Sequence, residues 1–206
     1  MVDAATSFKK AGYSEEDSAQ LALVASLYQN IADEALTAGE SADFIISQMK
    51  AFNLTAADSE HIVNAVNEIS NNMAVSSADL ATNIGKASAA LAVGNNTYEE
   101  SLSLMAGIVE ITRNGAKAAR GLVSVQSRLN QTVDESSSTG KALTKWYADH
   151  NIAILDQTGQ LRSLYDVLTD VAKIWPDLTT NEKDYYLNQQ AGKFVPQIKA
   201  NMREVA

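Results

Sequence analysis

Several residue types are scarce or missing in this chain of 206 residues, and each absence narrows the classes of structure available to it. The chain has no cysteine, so disulfides and thiolate metal ligands are excluded. It contains only 2 prolines, 10 glycines and 6% aromatic residues, whereas Ala and Leu are abundant. This composition predicts a helix-rich protein, and the length is sufficient to bury a core.

Positive charge is also scarce. The 16 Lys and Arg residues face 25 Asp and Glu residues, which gives a formal net charge of −9. This balance argues against binding of nucleic acid or an anionic membrane by charge attraction. No secretory signal opens the chain, and its longest uncharged stretch, 87–98, is too short and too polar to span a bilayer. We therefore predict no nucleic-acid partner and no membrane span.

What is present is a helix-pair pattern that occurs twice between residues 41 and 114. Ser41-Ala42-Asp43 and Ser77-Ala78-Asp79 each predict the start of a helix, 36 positions apart (77 minus 41). A turn with a second cap follows each helix, at Thr55 and at Thr97. A period of roughly 20 to 50 residues is typical of stacked helical hairpins. The sequence therefore predicts a mainly α fold of such hairpins.

Apolar residues at helical spacing support this prediction in the helices before and within the repeat. The helix that follows the Ser14 cap carries one stripe: Leu21, Val24, Leu27, Tyr28 and Ile31. The first helix of the second copy is predicted as one continuous helix with its own stripe: Leu80, Ile84, Ala87 and Leu91. These stripes are expected to face a shared core.

A Ser-rich stretch at 134–140 predicts a linker between two parts of the chain. On this basis the chain divides into a helical-hairpin domain at 1–133 and a smaller part at 141–206. In the smaller part the apolar period changes to two at Ile152 and Ile154, ahead of a turn at 156–159. This predicts a small two-stranded β-hairpin at about 151–162, among short helices.

The final helices have their own boundary signals. Pro176 predicts a helix end near Trp175, and Thr179 or Thr180 predicts the cap of a helix that reaches about Gln190. A last apolar segment follows Gly192: Phe194, Ile198 and Met202.

Few residues are candidates for chemistry. His61 has no histidine four residues later and, like His150, has no cysteine to join in a zinc site. The Asp156 turn lacks the additional acidic ligands of a calcium loop. Glu99 and Glu100 follow the Thr97 cap, where carboxylates favour a helix N-terminus. We predict no catalytic, cofactor-binding or metal site, and no cofactor.

Two sets of residues are candidates for contact with a partner protein. Arg113, Lys117 and Arg120, spaced i, i+4 and i+7, form either a solvated helix face or a docking stripe for an acidic partner. Trp146 and Tyr147 either anchor an interface or pack in the core.

The order of certain stretches along nearly the whole chain resembles one known family. These stretches are Met49-Lys50-Ala51-Phe52-Asn53-Leu54, Ala57-Asp58-Ser59-Glu60-His61, Ala74-Val75-Ser76-Ser77-Ala78-Asp79-Leu80, Gly94-Asn95-Asn96-Thr97-Tyr98-Glu99-Glu100-Ser101, Val109-Glu110-Ile111-Thr112-Arg113, Leu161-Arg162-Ser163-Leu164 and Ala191-Gly192-Lys193. In this order they resemble the conserved core region of phage tail tape-measure proteins. Trp146-Tyr147-Ala148-Asp149-His150 departs from the short Leu-Gly turn usual there, and Phe194-Val195-Pro196 departs from a common Arg-Gln pair.

The resemblance implies a structural, non-enzymatic role in phage or prophage tails. Tape-measure proteins set tail length, fill the lumen of the tail tube and nucleate its assembly. The expected partners are copies of the chain itself, the tail-tube protein and tail assembly chaperones, with synthesis in the host bacterial cytoplasm. One continuous helix of this chain would reach only on the order of 300 Å at about 1.5 Å per residue. Because the turns exclude even that, we expect a folded segment of a longer polypeptide and not the ruler itself.

Two alternatives belong to other classes of function. A cell-wall hydrolase module carried on the tail would need a carboxylic acid of raised pKa in a cleft. A helical adaptor unrelated to phage would need no such cleft, and gene neighbourhood would distinguish it from a tail protein.

Overall fold

Helices dominate the structure, a computed structural model that describes residues 2–134 and 136–192. Helix accounts for 75% of the chain described, which confirms the prediction of a mainly α fold. The chain divides into two compact units, residues 1–89 and 90–206. The predicted terminal segment with Phe194, Ile198 and Met202 lies outside the described residues.

The first unit is built from helices, most of which start at a local side-chain cap. They are α1 (Val2–Lys10), α2 (Glu15–Ile31), α3 (Ala38–Ala51), α4 (Ser59–Asn72) and α5 (Ser77–Ile84). The Ser14 hydroxyl accepts a hydrogen bond from the Asp17 N–H at 3.0 Å, as the sequence predicts. Gly12, at φ +95°, occupies the left-handed region that ends α1.

The core of the first unit is apolar and is formed where α2 packs on α1, α3 and α4. Its largest fully buried side chains come from all of these helices: Phe8, Leu21, Tyr28, Ile45, Met49 and Ile62. Full burial of each such aliphatic or aromatic side chain contributes about 1.5–3 kcal/mol to folding. The core positions of α3 and α4 include Ile45, Met49, Ile62 and Val66.

The repeated helix pair starts at other caps than the sequence predicts. Thr37, with Glu40, forms the capping box of α3, and Ser76 caps α5, so these caps are 39 positions apart (76 minus 37). Thr55 and Thr97 also form capping boxes, as predicted, at the short 3₁₀ turn Ala56–Asp58 and at a later helix. The predicted helix through Leu80 and Leu91 is broken, because residues 85–87 form a turn.

A carboxylate fixes the start of α5. Asp33 Oδ1 accepts hydrogen bonds from the Ser77 N–H at 3.0 Å and from the Ser77 hydroxyl at 2.7 Å. The Tyr28 hydroxyl donates to the Ser77 carbonyl at 2.9 Å. Burial raises the pKa of Asp33, but the hydrogen bonds from Ser77 and the backbone outweigh it, so this pKa lies below its ordinary value. A negative charge is stable here because it faces a helix N-terminus.

The second unit holds the remaining helices. They are α7 (Tyr98–Thr112), α8 (Gly115–Asn130), α9 (Ser138–Asp149), α10 (Leu164–Ile174) and α11 (Thr180–Gln190), while α6 (Ser88–Val93) spans the division between the units. Arg113, at φ +50°, ends α7, and the Asn114 side chain caps α8. Thr179 caps α11 with Glu182 in a capping box, which confirms the predicted cap.

Side-chain amides join distant helices inside the second unit. Asn96 Nδ2 donates to Gln126 Oε1 at 2.9 Å, and Asn96 Oδ1 accepts from the Tyr165 N–H at 3.1 Å. Gln190 Nε2 donates to the Val125 carbonyl at 3.1 Å. Because Asn96, Gln126 and Gln190 are buried, each of these bonds satisfies a group that would be costly to leave unpaired.

The predicted β-hairpin at 151–162 is wrong, since the described residues contain no strand. Only one isolated antiparallel bridge forms there, between Leu155 and Leu161. Two backbone hydrogen bonds flank this bridge, from the Asp156 N–H to the Gln160 carbonyl and from the Arg162 N–H to the Ile154 carbonyl. Nearby groups bond elsewhere. The Ile152 N–H donates to the Tyr147 carbonyl at 2.9 Å and thereby closes the end of α9. The Arg162 side chain donates to the Ala153 carbonyl at 2.7 Å.

The segment predicted as a linker, 134–140, lies within the second unit. The helices on either side of it, α8 and α9, pack against each other. At Gly140, inside the first turn of α9, a Cβ atom would lie 1.9 Å from the Gln131 carbonyl oxygen. The division into domains at 1–133 and 141–206 stays a prediction.

Candidate interaction surfaces

The two histidines occupy different environments. His61 lies exposed on α4. His150 is half-buried at the end of α9, where its ring stacks on Trp146 with centroids 4.1 Å apart and Nδ1 lies 2.7 Å from the Trp146 carbonyl oxygen. Within residues 2–134 and 136–192, no three His, Asp or Glu side chains form a cluster that could hold a metal ion.

The Asp156 carboxylate is part of a turn. Its Oδ1 accepts hydrogen bonds from the Thr158 hydroxyl at 2.7 Å, the Thr158 N–H at 2.8 Å and the Gln160 N–H at 2.9 Å. These bonds, led by that of the Thr158 hydroxyl, hold the pKa of Asp156 below its usual range. The carboxylate therefore supports the turn, as expected from turn chemistry.

Glu100 has a comparable structural role at the start of α7. Its Oε2 accepts from the Thr97 N–H at 2.9 Å, and its own N–H donates to the Thr97 hydroxyl at 3.1 Å. This is a reciprocal capping box.

Trp146 and Tyr147 lie inside the second unit, in an aromatic cluster that the sequence does not reveal. The Trp146 and Tyr186 ring centroids are 4.3 Å apart. The Tyr147 hydroxyl donates to Gln190 Oε1 at 3.0 Å and lies 3.3 Å from the Tyr186 hydroxyl. Burial raises the pKa values of Tyr147 and Tyr186. Of the two roles predicted for Trp146 and Tyr147, this geometry supports core packing.

The three predicted basic residues are exposed but do not all lie on one helix. Lys117 and Arg120 are one turn apart on α8, whereas Arg113 ends α7 in a left-handed backbone conformation. Neither Lys117 nor Arg120 forms an ion pair with any residue that the structure describes. Both charges are therefore exposed to solvent, and the docking stripe stays a prediction.

A cleft in the first unit lies between α3 and α5 and has a volume of about 300 Å³. Phe44 and Tyr28 contribute aromatic surface, while Glu40 and Asp43 contribute carboxylates. Glu40 is committed to the capping box of α3, and the hydrogen bonds from Thr37 lower its pKa. That shift is opposite to the raised pKa of a general acid.

A larger groove lies on the second unit and has a volume of about 710 Å³. One wall is a face of α9 with Lys141, Lys145 and Ala148. The facing segments supply apolar side chains, of which Val133 is 57% and Leu155 41% exposed. Large apolar side chains so exposed at one groove are a feature of protein contact surfaces.

The first unit has an exposed apolar pair on α2 that the sequence analysis missed. Leu23 is 59% and Leu27 41% exposed, whereas Leu21 and Tyr28 are buried. The prediction that Leu27 belongs to the core stripe is therefore wrong. A period of 3.6 residues places Leu23 and Leu27 together, on the side of α2 opposite the core. Their i, i+4 spacing in the sequence was the signal that could have revealed this exposed apolar pair.

The two units carry unequal charge. Residues 1–89 contain 12 Asp and Glu against 4 Lys, which gives −8, while residues 90–206 contain 13 acidic and 12 basic residues, which gives −1. Nearly all of the net charge of the chain therefore belongs to the first unit.

These surfaces define an all-α protein whose exposed features are suited to contact with other proteins. No helix in the described parts of the chain has both the length and the apolar character needed to cross a bilayer. The family model for phage-related minor tail proteins matches residues 1–192. The chain belongs to that family and is thus a structural component of a phage tail. No solved structure matches the chain.

Proposed function

We propose that the chain is a structural segment of a tape-measure protein, which takes part in setting tail length and assembling the tail tube. The proposal is supported by the family match over residues 1–192, together with the resemblance of many ordered stretches to the tape-measure core. The segment acts by contact and not by catalysis. It works in the lumen of the tail, after synthesis in the host cytoplasm.

The proposed partners are copies of the chain, the tail-tube protein and tail assembly chaperones. Lys117 and Arg120 form the docking stripe for an acidic surface on one of these tail components. Their exposure and lack of ion pairs within the described residues support this role. Because exposed charges steer association and contribute little to folding, the stripe can be altered without loss of the fold.

Removal of residues 1–192 from the phage gene tests the assembly role. Electron microscopy of the lysate should show no tail tubes, or tubes of irregular length. Tails of wild-type number and length would contradict the proposal. Tails shortened regularly, in proportion to the residues removed, would instead assign this segment to the ruler.

A charge reversal tests the stripe separately. Lys117→Glu with Arg120→Glu should leave the circular dichroism spectrum unchanged and weaken co-purification with tail components about tenfold or more. Lys10→Glu with Lys86→Glu, at two exposed lysines of the first unit, adds the same charge and should have no such effect. Equal co-purification of both variants would remove the docking stripe from the proposal.

A zymogram against bacterial cell wall tests the non-enzymatic part of the proposal. No clearing is expected, whereas clearing by the purified chain would assign a hydrolase activity.

A further inference from the structure

The groove on the second unit presents apolar side chains and two cations to the surrounding solvent. Along α9, Lys141, Lys145 and Ala148 lie at i, i+4 and i+7, so they share one helix face. Lys145 forms an exposed pair with Asp149 at 2.7 Å, and Asp134 adds one carboxylate to the lining. The exposed Val133 and Leu155 supply the apolar part.

A complementary surface lies on α2 of the first unit. Glu16, Gln20, Leu23 and Leu27 are all exposed, and their spacing of i, i+4, i+7 and i+11 places them in one stripe along the helix. The stripe begins with a carboxylate and continues with two large apolar side chains. Such a face is what an amphipathic helix presents to a groove on another protein.

We propose that the groove of one copy of this chain binds the α2 stripe of a second copy. Leu23 and Leu27 of the incoming helix cover Val133 and Leu155, while its acidic N-terminal turn lies near Lys141 and Lys145. The net charges of −8 and −1 on the two units favour contact between unlike units over contact between two first units. This inference rests on the proposed function in one respect, namely that the chain acts by self-association.

The proposed contact is heterologous, because the groove and the stripe are different surfaces of the same chain. Every copy that donates its α2 stripe therefore keeps a free groove, and association proceeds into a ring or an open array unless it is blocked. This property separates the proposal from a symmetric dimer, in which both copies use the same patch.

Two double variants each disable one half of the contact. Val133→Glu with Leu155→Glu alters the groove, and Leu23→Glu with Leu27→Glu alters the stripe. Because all four side chains are exposed, the fold should be kept, which circular dichroism checks. The whole chain is then studied by sedimentation velocity across a range of concentrations.

The wild-type chain should show concentration-dependent association, and each double variant alone should raise the apparent Kd by at least about tenfold. An equimolar mixture of the two variants should form a 1:1 heterodimer and nothing larger, since one intact groove and one intact stripe remain. Val93→Glu with Ile111→Glu, at exposed apolar positions outside both surfaces, is the matched control and should associate like the wild type.

Three results would overturn the proposal. The first is a wild-type chain that stays monomeric at every concentration. The second is association that persists in either double variant, and the third is a mixture that forms no heterodimer. Loss of binding to another tail component by the groove variant, without any self-association, would assign the groove to that component. Tail assembly that still requires residues 1–192 in any of these cases would leave the proposed function intact.

Discussion

The two units differ in the buried side-chain hydrogen bonds that accompany their apolar cores. In the first unit buried serines such as Ser18 and Ser59 bond to carbonyls three to five residues away. Its longer-range side-chain bonds include those of Ser77 with Asp33 and of Ser88 with Gln48. In the second unit buried amides cross between helices, as Gln190 does on α11 to reach α8 and α9. The several buried amides of the second unit specify one register of its helices, because a misplaced amide is left unpaired.

The largest expected effect comes from breaking the amide network. Gln190→Ala removes the acceptor of the Tyr147 hydroxyl and a donor to the Val125 carbonyl, and it empties a buried site, so it should lower the free energy of unfolding by about 3 kcal/mol. Urea unfolding measures this. Both tryptophans, Trp146 and Trp175, belong to the second unit, so their fluorescence reports on that unit while circular dichroism reports on both.

Asn188→Ala is the control for this prediction, since Asn188 is exposed on the same helix and its side chain donates to the Asp184 carbonyl of the preceding turn. Its effect should stay within about 0.5 kcal/mol. Fluorescence and circular dichroism midpoints that separate in Gln190→Ala would show that the units unfold independently. A loss equal to that of Asn188→Ala would remove the distinction between the two cores.

A second test compares the space around one helical glycine in each unit. Gly140→Ala places a Cβ atom against the Gln131 carbonyl oxygen, so the backbone must move, at a cost of about 2 kcal/mol. Gly39→Ala, inside α3, meets nothing closer than 3.9 Å and should be neutral or stabilising by up to about 1 kcal/mol. Thermal unfolding of both variants measures the difference. Similar melting temperatures would mean that the second unit is no more tightly fitted than the first.

These comparisons also show what the sequence could and could not predict. Caps such as Ser14 and Thr179 were predicted because a cap depends on residues within one helical turn. The β-hairpin was predicted from a local alternation, which does not reveal the other bonds of the segment: the Ile152 N–H donates to the Tyr147 carbonyl, and the Arg162 side chain donates to the Ala153 carbonyl. The amide network joins residues 30 to 69 positions apart, a separation at which no spacing rule operates.

Some features of the candidate surfaces could likewise be predicted from the sequence, and others could not. The exposure of Lys117 and Arg120 is consistent with their i, i+3 spacing on an amphipathic helix, which a sequence displays directly. The groove was not predictable, because Val133 and Leu155 come together only through the fold of the segments around α9. Leu27 was misassigned because α2 has apolar residues on two sides, and spacing alone does not tell which side faces the core.

A smaller effect is expected at the Asp33 contact of the first unit. Asp33→Ala removes the acceptor for Ser77 and should cost roughly 1 kcal/mol at neutral pH, a value kept low by solvent exposure. Because the folded-state pKa of Asp33 is depressed, its contribution is present above the unfolded pKa and is lost as pH falls through the folded pKa. Urea unfolding at several acidic pH values should therefore show the gap between wild type and variant closing.

Glu34→Ala, next along the chain and exposed, is the control and should leave that pH dependence unchanged. A gap between wild type and Asp33→Ala that stays constant down to strongly acid pH would mean that the carboxylate charge does not fix α5.

The smallest effect is expected at Asp156, where the second unit uses the local bonding that characterises the first. Asp156→Ala should change the free energy of global unfolding by less than about 0.5 kcal/mol, because the loop is exposed. Amide exchange at Thr158 and Gln160 should nevertheless accelerate by about tenfold, since both N–H groups lose their acceptor. Gln157→Ala, in the same turn, should leave both rates unchanged. Slow exchange in Asp156→Ala would mean that strand pairing beyond the Leu155–Leu161 bridge holds this loop, whereas fast exchange would mean that one carboxylate shapes the rim of the groove.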